Sequence, residues 1–302
     1  MANPITLDAL RILDAIDRKK SFASAADELF RVPSAISYTV KKLEEDLGVT
    51  IFDRTKRKAE FTPTGLLLLK QGRLILQATD ELSHHVVQIE KGWELELRIC
   101  VDNILTFDPI YELMAQFQQQ HPHVEIKLIE EVMEGNWDAI ESERCDLAIG
   151  VPGDPISSRY DSLPIGDIEF VFAVSRGHPL TLQPSPVTVE QIKEYPSIVV
   201  ADSSRGLPPR SIRILEGQRR ITVPTVEKKI SAQMLGLGVG YLPIFRVEQE
   251  LQTGQLVALE VAPAQSRVSP ISIAWNKSNK GKALRWFIEK LAGMDRNRLI
   301  MS

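Results

Sequence analysis

Residues 31–48 read RVPSAISYTVKKLEEDLG. Ile36, Val40, Leu43 and Leu47 recur at spacings of four, three and four, which is one apolar stripe of an α-helix. The opposite face carries Ser34, Ser37, Tyr38, Lys41 and Lys42, and the stretch closes on Glu44, Glu45, Asp46 and Gly48. This charge order opposes the helix macrodipole, which favours acids in the first turn and bases in the last. A partner that wants a positive, hydroxyl-rich N-terminal half explains the reversal. A solvated face with no partner is the plainer alternative. The flanking sequence decides between them.

Upstream, Leu7, Leu10, Leu13 and Ile16 mark a first helix. Phe22, Ala25, Ala26 and Leu29 mark a short second one, with Ser21 or Ser24 as its cap. The two alanines leave room for another helix to come close. After a break at Phe30–Val32, Pro33 suits the first turn of the quoted helix. A short helix, a tight turn and a second helix packed across it make a helix-turn-helix. Gly48 takes the position just past the helix end. Downstream, VTIFD (49–53) and AEFT (59–62) read as short strands around RTKRK (54–58), a β-hairpin wing with a cationic tip. Thr62 then caps, and Pro63 opens, a long helix over 63–91. Its Leu68, Ile75, Leu82 and Ile89 repeat every seven residues, which suits pairing with a second helix. Packing on its own domain is the alternative.

From residue 93 the texture changes. ELELRICV (94–101), VEIKLIEEV (124–132), CDLAIG (145–150), IEFVFAVS (168–175), SIVVA (197–201), GYLP (240–243), LVALEV (256–261) and ISIAW (271–275) are strand-like. Helical stretches at 107–120, 136–143, 188–194, 226–237 and 280–291 separate many of them. Alternating β and α elements predict a largely parallel sheet covered on both faces, here split into two lobes. Ligands of such folds bind beyond the C-terminal ends of the strands.

The 302 residues allow one small and one larger domain, and the 43% apolar and 25% charged content is that of an ordinary soluble protein. No window is long and apolar enough for a transmembrane helix, and the N-terminus is not a signal peptide, so a cytoplasmic protein is expected. Cys100 and Cys145, in apolar runs, are expected as buried free thiols. The net charge of −4 excludes a chain that is basic all over, but four cations in five positions at 54–58 suffice to meet phosphates locally. GLGVG (236–240) follows a helix rather than a strand, which favours a tight turn over a nucleotide loop. His121 and His123 read as a solvated loop rather than a metal site. No catalytic constellation is present, and no cofactor or metal is expected.

SFASAADEL (21–29), SAISYTVKKLEEDLGVTIFDR (34–54) and FTPTG (61–65) together resemble the LysR-type transcriptional regulators. The resemblance extends more thinly over the rest of the chain. It implies an α+β multidomain protein: a winged helix-turn-helix at 1–62, a linker and dimerisation helix at 63–91, and a two-lobed, periplasmic-binding-protein-like effector domain at 92–302. Lobe I takes about 92–163 and 268–302, and lobe II about 164–267. VDNI (101–104), EVMEGNWDAI (131–140), DLAIG (146–150), ADSSR (201–205) and VPTVEKKI (223–230) are similar to the subgroup that controls purine-nucleoside and allantoin use. Where the family usually has Arg, this chain has Tyr38, which cannot make a bidentate contact to guanine.

The function that follows is DNA binding under small-molecule control. Expected DNA-facing residues are Ser21, Ser24, Pro33, Ser34, Ser37, Tyr38, Lys41 and Lys42, with Arg54, Lys56, Arg57 and Lys58 on the wing; Glu44, Glu45 and Asp46 leave the groove. Lys56→Ala is expected to weaken binding alike for all sequences and to flatten the salt dependence, measured by titrations across a range of salt. Expected effector contacts are Asp102, Asn103, Glu131, Trp137, Gly150, Val151, Asp202, Ser203, Ser204, Thr225 and Glu227, with Trp137 stacking on a heterocycle. Partners implied are double-stranded DNA with a pseudo-palindromic operator, the effector, further copies of the chain in a homodimer or homotetramer, and RNA polymerase. A cytoplasmic α/β enzyme, or a solute-binding protein with an incidental helix-turn-helix, is the competing reading.

Overall fold

The computed structural model describes residues 3–53, 60–208, 215–263 and 268–300. The chain forms two compact units, Met1–Glu90 and Lys91–Ser302.

The first unit contains α1 (Leu7–Lys19), α2 (Phe22–Glu28), α3 (Pro33–Leu47), the hairpin strands β1 (Phe52–Asp53) and β2 (Glu60–Phe61), and α4 (Pro63–Glu90). Thr6 and Ser21 cap the first two helices by accepting from the backbone N–H groups of Ala9 and Ser24. Val32 gives α3 no side-chain cap; Pro33 opens it and Gly48, at φ 67°, closes it. Ala25 and Ala26 are fully buried among Ile12, Ile16, Ile36 and Val40, so their small side chains do bring the helices close. Glu44 does not lead away from this core. Its Oε1 accepts from the N–H groups of Ile51 (2.7 Å) and Phe52 (3.1 Å), fastening α3 to the hairpin. A Cβ on Gly65 would sit 2.3 Å from the Ile51 carbonyl oxygen, so the glycine of FTPTG marks where α4 meets backbone. Along α4 only Gly65, Leu69 and Gly72 are buried. Of the seven-residue repeat, Leu68 is half-buried, and Ile75, Leu82 and Ile89 are exposed.

The second unit begins with β3 (Glu96–Asp102), α5 (Asp108–Gln120), β4 (Glu125–Glu131), α6 (Gly135–Glu141), β5 (Leu147–Pro152) and β6 (Tyr160–Ser175). It continues with β7 (Val187–Thr188), α7 (Val189–Lys193), β8 (Ser197–Val200), β9 (Arg220–Val223), α8 (Val226–Met234) and β10 (Gly240–Pro243). The last elements are α9 (Glu248–Gln252), β11 (Leu256–Leu259), β12 (Val261–Ala262), β13 (Val268–Asn276) and α10 (Lys282–Ala292). β3 pairs parallel with β4 and β5, and β8 with β9, but β13 runs antiparallel to β5 and β6. The expectation of a largely parallel sheet therefore holds only for part of each lobe. The cause is β6, which runs through both. Residues 160–169 pair with β13, and residues 170–175 pair with β10 and β11. The register of β13 shifts at Ile271/Ser272 against β6 and at Ser272/Ile273 against β5. One core packs Ile99, Phe117, Ile149, Ile273 and Phe287; the other lobe centres on Ala173, Leu242 and Val247 and on Phe172, Val174 and Val239.

The thiols of Cys100 and Cys145 are free and buried, as expected, and they are neighbours, with sulfurs 2.9 Å apart; burial pushes the Cys100 thiol well above its usual range. One sequence reading needs correction. His121 and His123 do not form a solvated loop: both rings pack against Trp93, His121 at 4.1 Å between centroids. GLGVG is a turn, with Gly236 at φ 73° and β10 starting at Gly240. Among the described residues no helix is long and apolar enough to cross a membrane.

Candidate functional site

Two surfaces concentrate the chemistry, one in each unit. In the first, the burial of Ile36, Val40 and Leu43 turns the other side of α3 outward. Pro33, Ser34, Ser37, Tyr38, Lys41 and Lys42 are all exposed, Tyr38 at 67%. Lys41 Nζ lies 3.5 Å from Glu45, an exposed pair of little energetic weight. Ser21 is committed as a helix cap, while Ser24 is exposed. Arg54, Lys56, Arg57 and Lys58 lie outside the described residues.

In the second unit, a cavity of about 350 Å³ lies between the two lobes, at the C-terminal end of β3. Its walls are mostly apolar, with Ile168 and Phe170 from β6, Val199 from β8, Val226 from α8 and Tyr241 from β10. Asp102, Asn103, Gly150 and Asp202, all expected from sequence, line it. Asp102 is held by donors on both oxygens. Ile104 N donates to Oδ1 (3.0 Å); Met133 N (2.8 Å) and Asn136 Nδ2 (2.9 Å) donate to Oδ2. Burial outweighs these bonds and raises its pKa to about 6. Gly150 has φ 94°, and a Cβ there would come 2.9 Å from Asp102 Cβ, so glycine lets the end of β5 lie against the end of β3. Asn103 is 6% exposed, and neither its amide nitrogen nor its carbonyl oxygen has a hydrogen-bond partner. A buried carboxamide left with both groups unmet is costly and requires an explanation. Arg246, from the far lobe, closes one side by donating through Nη1 to the carbonyls of Asn103 (3.1 Å), Ile104 and Leu105.

The other side is closed by an ionic network. Arg144 pairs with Glu131 and, at 2.7 Å, with Asp138. Asp138 Oδ1 accepts from Gly206 N (2.7 Å) and Leu207 N (2.9 Å). Ser203 Oγ bonds Glu131 and accepts from Val132 N, and Asp202 Oδ2 accepts from Glu134 N. Burial opposes ionisation of Asp138, but the backbone donors and Arg144 prevail and hold its pKa at about 2.

Residues 7–66 match the family model described as bacterial regulatory helix-turn-helix protein, lysR family, and residues 90–295 match the LysR substrate binding domain. The chain belongs to the LysR family. It is therefore a DNA-binding transcriptional regulator with a small-molecule-binding domain, not an enzyme. It is 38% identical to YeeY of Escherichia coli, described as an uncharacterized HTH-type transcriptional regulator, over 94% of this chain and 92% of that one. It is 35% identical to the HTH-type transcriptional regulator PunR of the same organism, over 94% and 91%. Its fold matches an OxyR C206 mutant of Corynebacterium glutamicum with a TM-score of 0.62 at 18% identity, covering 98% and 93%.

Within this LysR fold several expected contacts fall elsewhere. Trp137 is 1% exposed, donates Nε1–H to Pro152 O at 3.1 Å and packs with Cys100, Ala148 and Tyr160; it does not line the cavity. Val151 is buried in the same cluster. Glu131 and Ser203 belong to the ionic network behind the cavity wall, and Ser204 is tied back to Asp202 through its N–H. Thr225 caps α8 and, with Glu227, borders a separate cleft beyond Arg246. Sequence reasoning missed Phe170, Tyr241, Lys229, Thr222 and Ser269, which also line the cavity. They come from five different elements, four strands and helix α8, and periodicity within one element does not show which face meets the other lobe.

Proposed function

We propose that an effector with adjacent hydrogen-bond donor and acceptor groups, of the kind on a purine nucleoside or related nitrogen heterocycle, occupies the inter-lobe cavity. The observation that carries this reading is Asn103. Its carboxamide has a donor and an acceptor group unmet side by side, and a turn of the side chain toward the cavity would present both to a lactam or ureide edge. The apolar walls, with Phe170 and Tyr241 in the stacking role expected of Trp137, suit a flat ring. Asp102, Asp202 and Gly150 line the site, while Glu131 and Ser203 shape it from behind.

On the same reading, 1–62 is the DNA-binding domain, 63–91 the dimerisation helix and 92–302 the effector domain. The exposed apolar positions of α4 pair with a second copy, and pairs assemble into a tetramer on a pseudo-palindromic operator. Pro33, Ser34, Ser37, Tyr38, Lys41 and Lys42 meet the major groove, Ser21 and Ser24 the backbone, and Arg54, Lys56, Arg57 and Lys58 a minor groove. RNA polymerase is the partner through which bound DNA is read out. The protein works in the cytoplasm.

Thermal unfolding of the full chain against purine bases, nucleosides, allantoin and related ureides tests the effector class. A ligand at about 100 times its Kd stabilises by about 2.7 kcal/mol and lifts the midpoint by several degrees. Asn103→Leu abolishes that shift while leaving the unliganded midpoint intact or higher. A flat panel for the folded wild type would rule out this class and leave DNA binding untouched.

Affinity is also expected to depend on pH through Asp102. The carboxylate accepts the Ile104 bond that turns the chain at Asn103 and the Met133 and Asn136 bonds that hold the start of α6 against it, and its pKa is about 6. Protonation turns one acceptor oxygen into a donor, so affinity falls as pH drops from 7 to 5, by up to about tenfold over that range. Calorimetric titrations across this range check it, and Asp102→Asn flattens the profile.

A further inference from the structure

We propose that the N-terminal half of α3 selects its DNA half-site through thymine methyl groups, with Val32 and Tyr38 as the residues that read them. The inference rests on α3 occupying the major groove. From 32 to 38 the chain supplies Val, Pro, Ser, Ala, Ile, Ser and Tyr. Ile36 is fully buried in the core. None of the seven is Arg, Lys, Asn, Gln, Asp or Glu, the side chains whose geometry discriminates base edges by hydrogen bonding. The hydroxyls of Ser34 and Ser37 both donate and accept, so they tolerate either kind of edge.

What remains at the groove is apolar surface. Val32 is 62% exposed and Tyr38 67%, and Pro33 lies exposed beside Val32. Val32 stands at the N-cap of α3 and makes no side-chain bond there, although a hydroxyl or carboxylate at that position would satisfy a free N–H. The sequence thus places an aliphatic group, exposed to water, where helix stability alone favours a polar one. The major-groove edge carries one apolar feature that distinguishes bases, the C5 methyl of thymine. An aliphatic side chain at the helix start and an aromatic ring about one and two-thirds turns later match that feature. Lys41 and Lys42 follow, long enough to reach phosphates, which position the helix without reading sequence.

The test removes methyl groups and nothing else. Full-length protein selects duplexes from a random-sequence library, and each thymine of the enriched site is then replaced singly by deoxyuridine. Losing one buried methyl corresponds to roughly fourfold in affinity. The expected result is a loss of about that size at one or two positions per half-site. At those positions cytosine binds more weakly than thymine, and 5-methylcytosine recovers part of the difference. In Val32→Ser and Tyr38→Ser, thymine and uracil duplexes bind alike at the position each residue reads; both sites are exposed, and an unchanged melting temperature verifies the fold. Uracil duplexes within twofold of thymine everywhere, or unchanged discrimination in both variants, would overturn the proposal while leaving α3 in the groove. Failure to enrich any duplex would overturn that placement as well.

Discussion

Arg144→Ala is expected to cost the effector-binding unit about 3 kcal/mol, near the low end of the range for breaking a buried pair. Arg144 faces Glu131 and Asp138, whose side chains are 3% and 5% exposed, so its removal leaves two carboxylates in a site built for one shared cation. For a unit of this size the midpoint should drop by roughly 6–12 °C, measured by calorimetry on the full chain. A drop under 2 °C would mean that water replaces the guanidinium freely. Replacing all three charged groups with apolar residues of similar volume should cost far less than the single change, because no charge is then stranded. The network also has a pH signature. Asp138 has a folded pKa of about 2 against an ordinary 3.8, so its contribution is complete above about pH 4 and is lost as pH falls toward 2.

Trp137→Ala is expected to destabilise by about 3–5 kcal/mol, as for a large aromatic removed from a core. The ring is 1% exposed, its N–H is bound to Pro152 O, and it packs in one buried cluster with Cys100, Ala148 and Tyr160. The contrasting measurement is effector affinity at a temperature where the variant stays folded. A core tryptophan leaves affinity within a few fold. A stacking platform loses it by more than tenfold while the midpoint moves little, and that pattern would restore Trp137 to the binding site.

The helix-turn-helix is legible in sequence because its determinants are local. Ala25, Ala26, Ile36, Val40 and Gly48 each sit at a spacing that one helix or one turn dictates, and each takes that role in the fold. Asp102, Asn103 and Gly150 are legible for a related reason, since chain after a strand end faces the crevice. The limits are equally physical. β6 reads as 168–175 because Asp161, Ser162, Gly166 and Asp167 break its apolar pattern, yet the strand begins at Tyr160, held by the β13 ladder rather than by its own composition. β9 is four residues long and alternates exposed and half-buried positions, too brief a signal to separate from a turn. An aromatic after a strand end suits stacking, so local sequence points Trp137 toward the cavity. The direction of its ring is fixed by α6 packing on β5, which local pattern does not encode.

The crossing of β6 and β13 has a mechanical meaning. Lobes joined by loose peptide would swing open on a hinge. Here both connecting strands remain hydrogen-bonded to each other through the crossing, so they form a ribbon that resists swinging and yields by twisting. The ladder is weakest where the register of β13 shifts, at Ile271 to Ile273, and Ser269, Pro270 and Ile271 form part of the cavity wall at that point. On the proposed reading, an effector that fills the cavity is expected to press on this torsion spring at its softest link and to send its signal out as a rotation of one lobe about the ribbon axis.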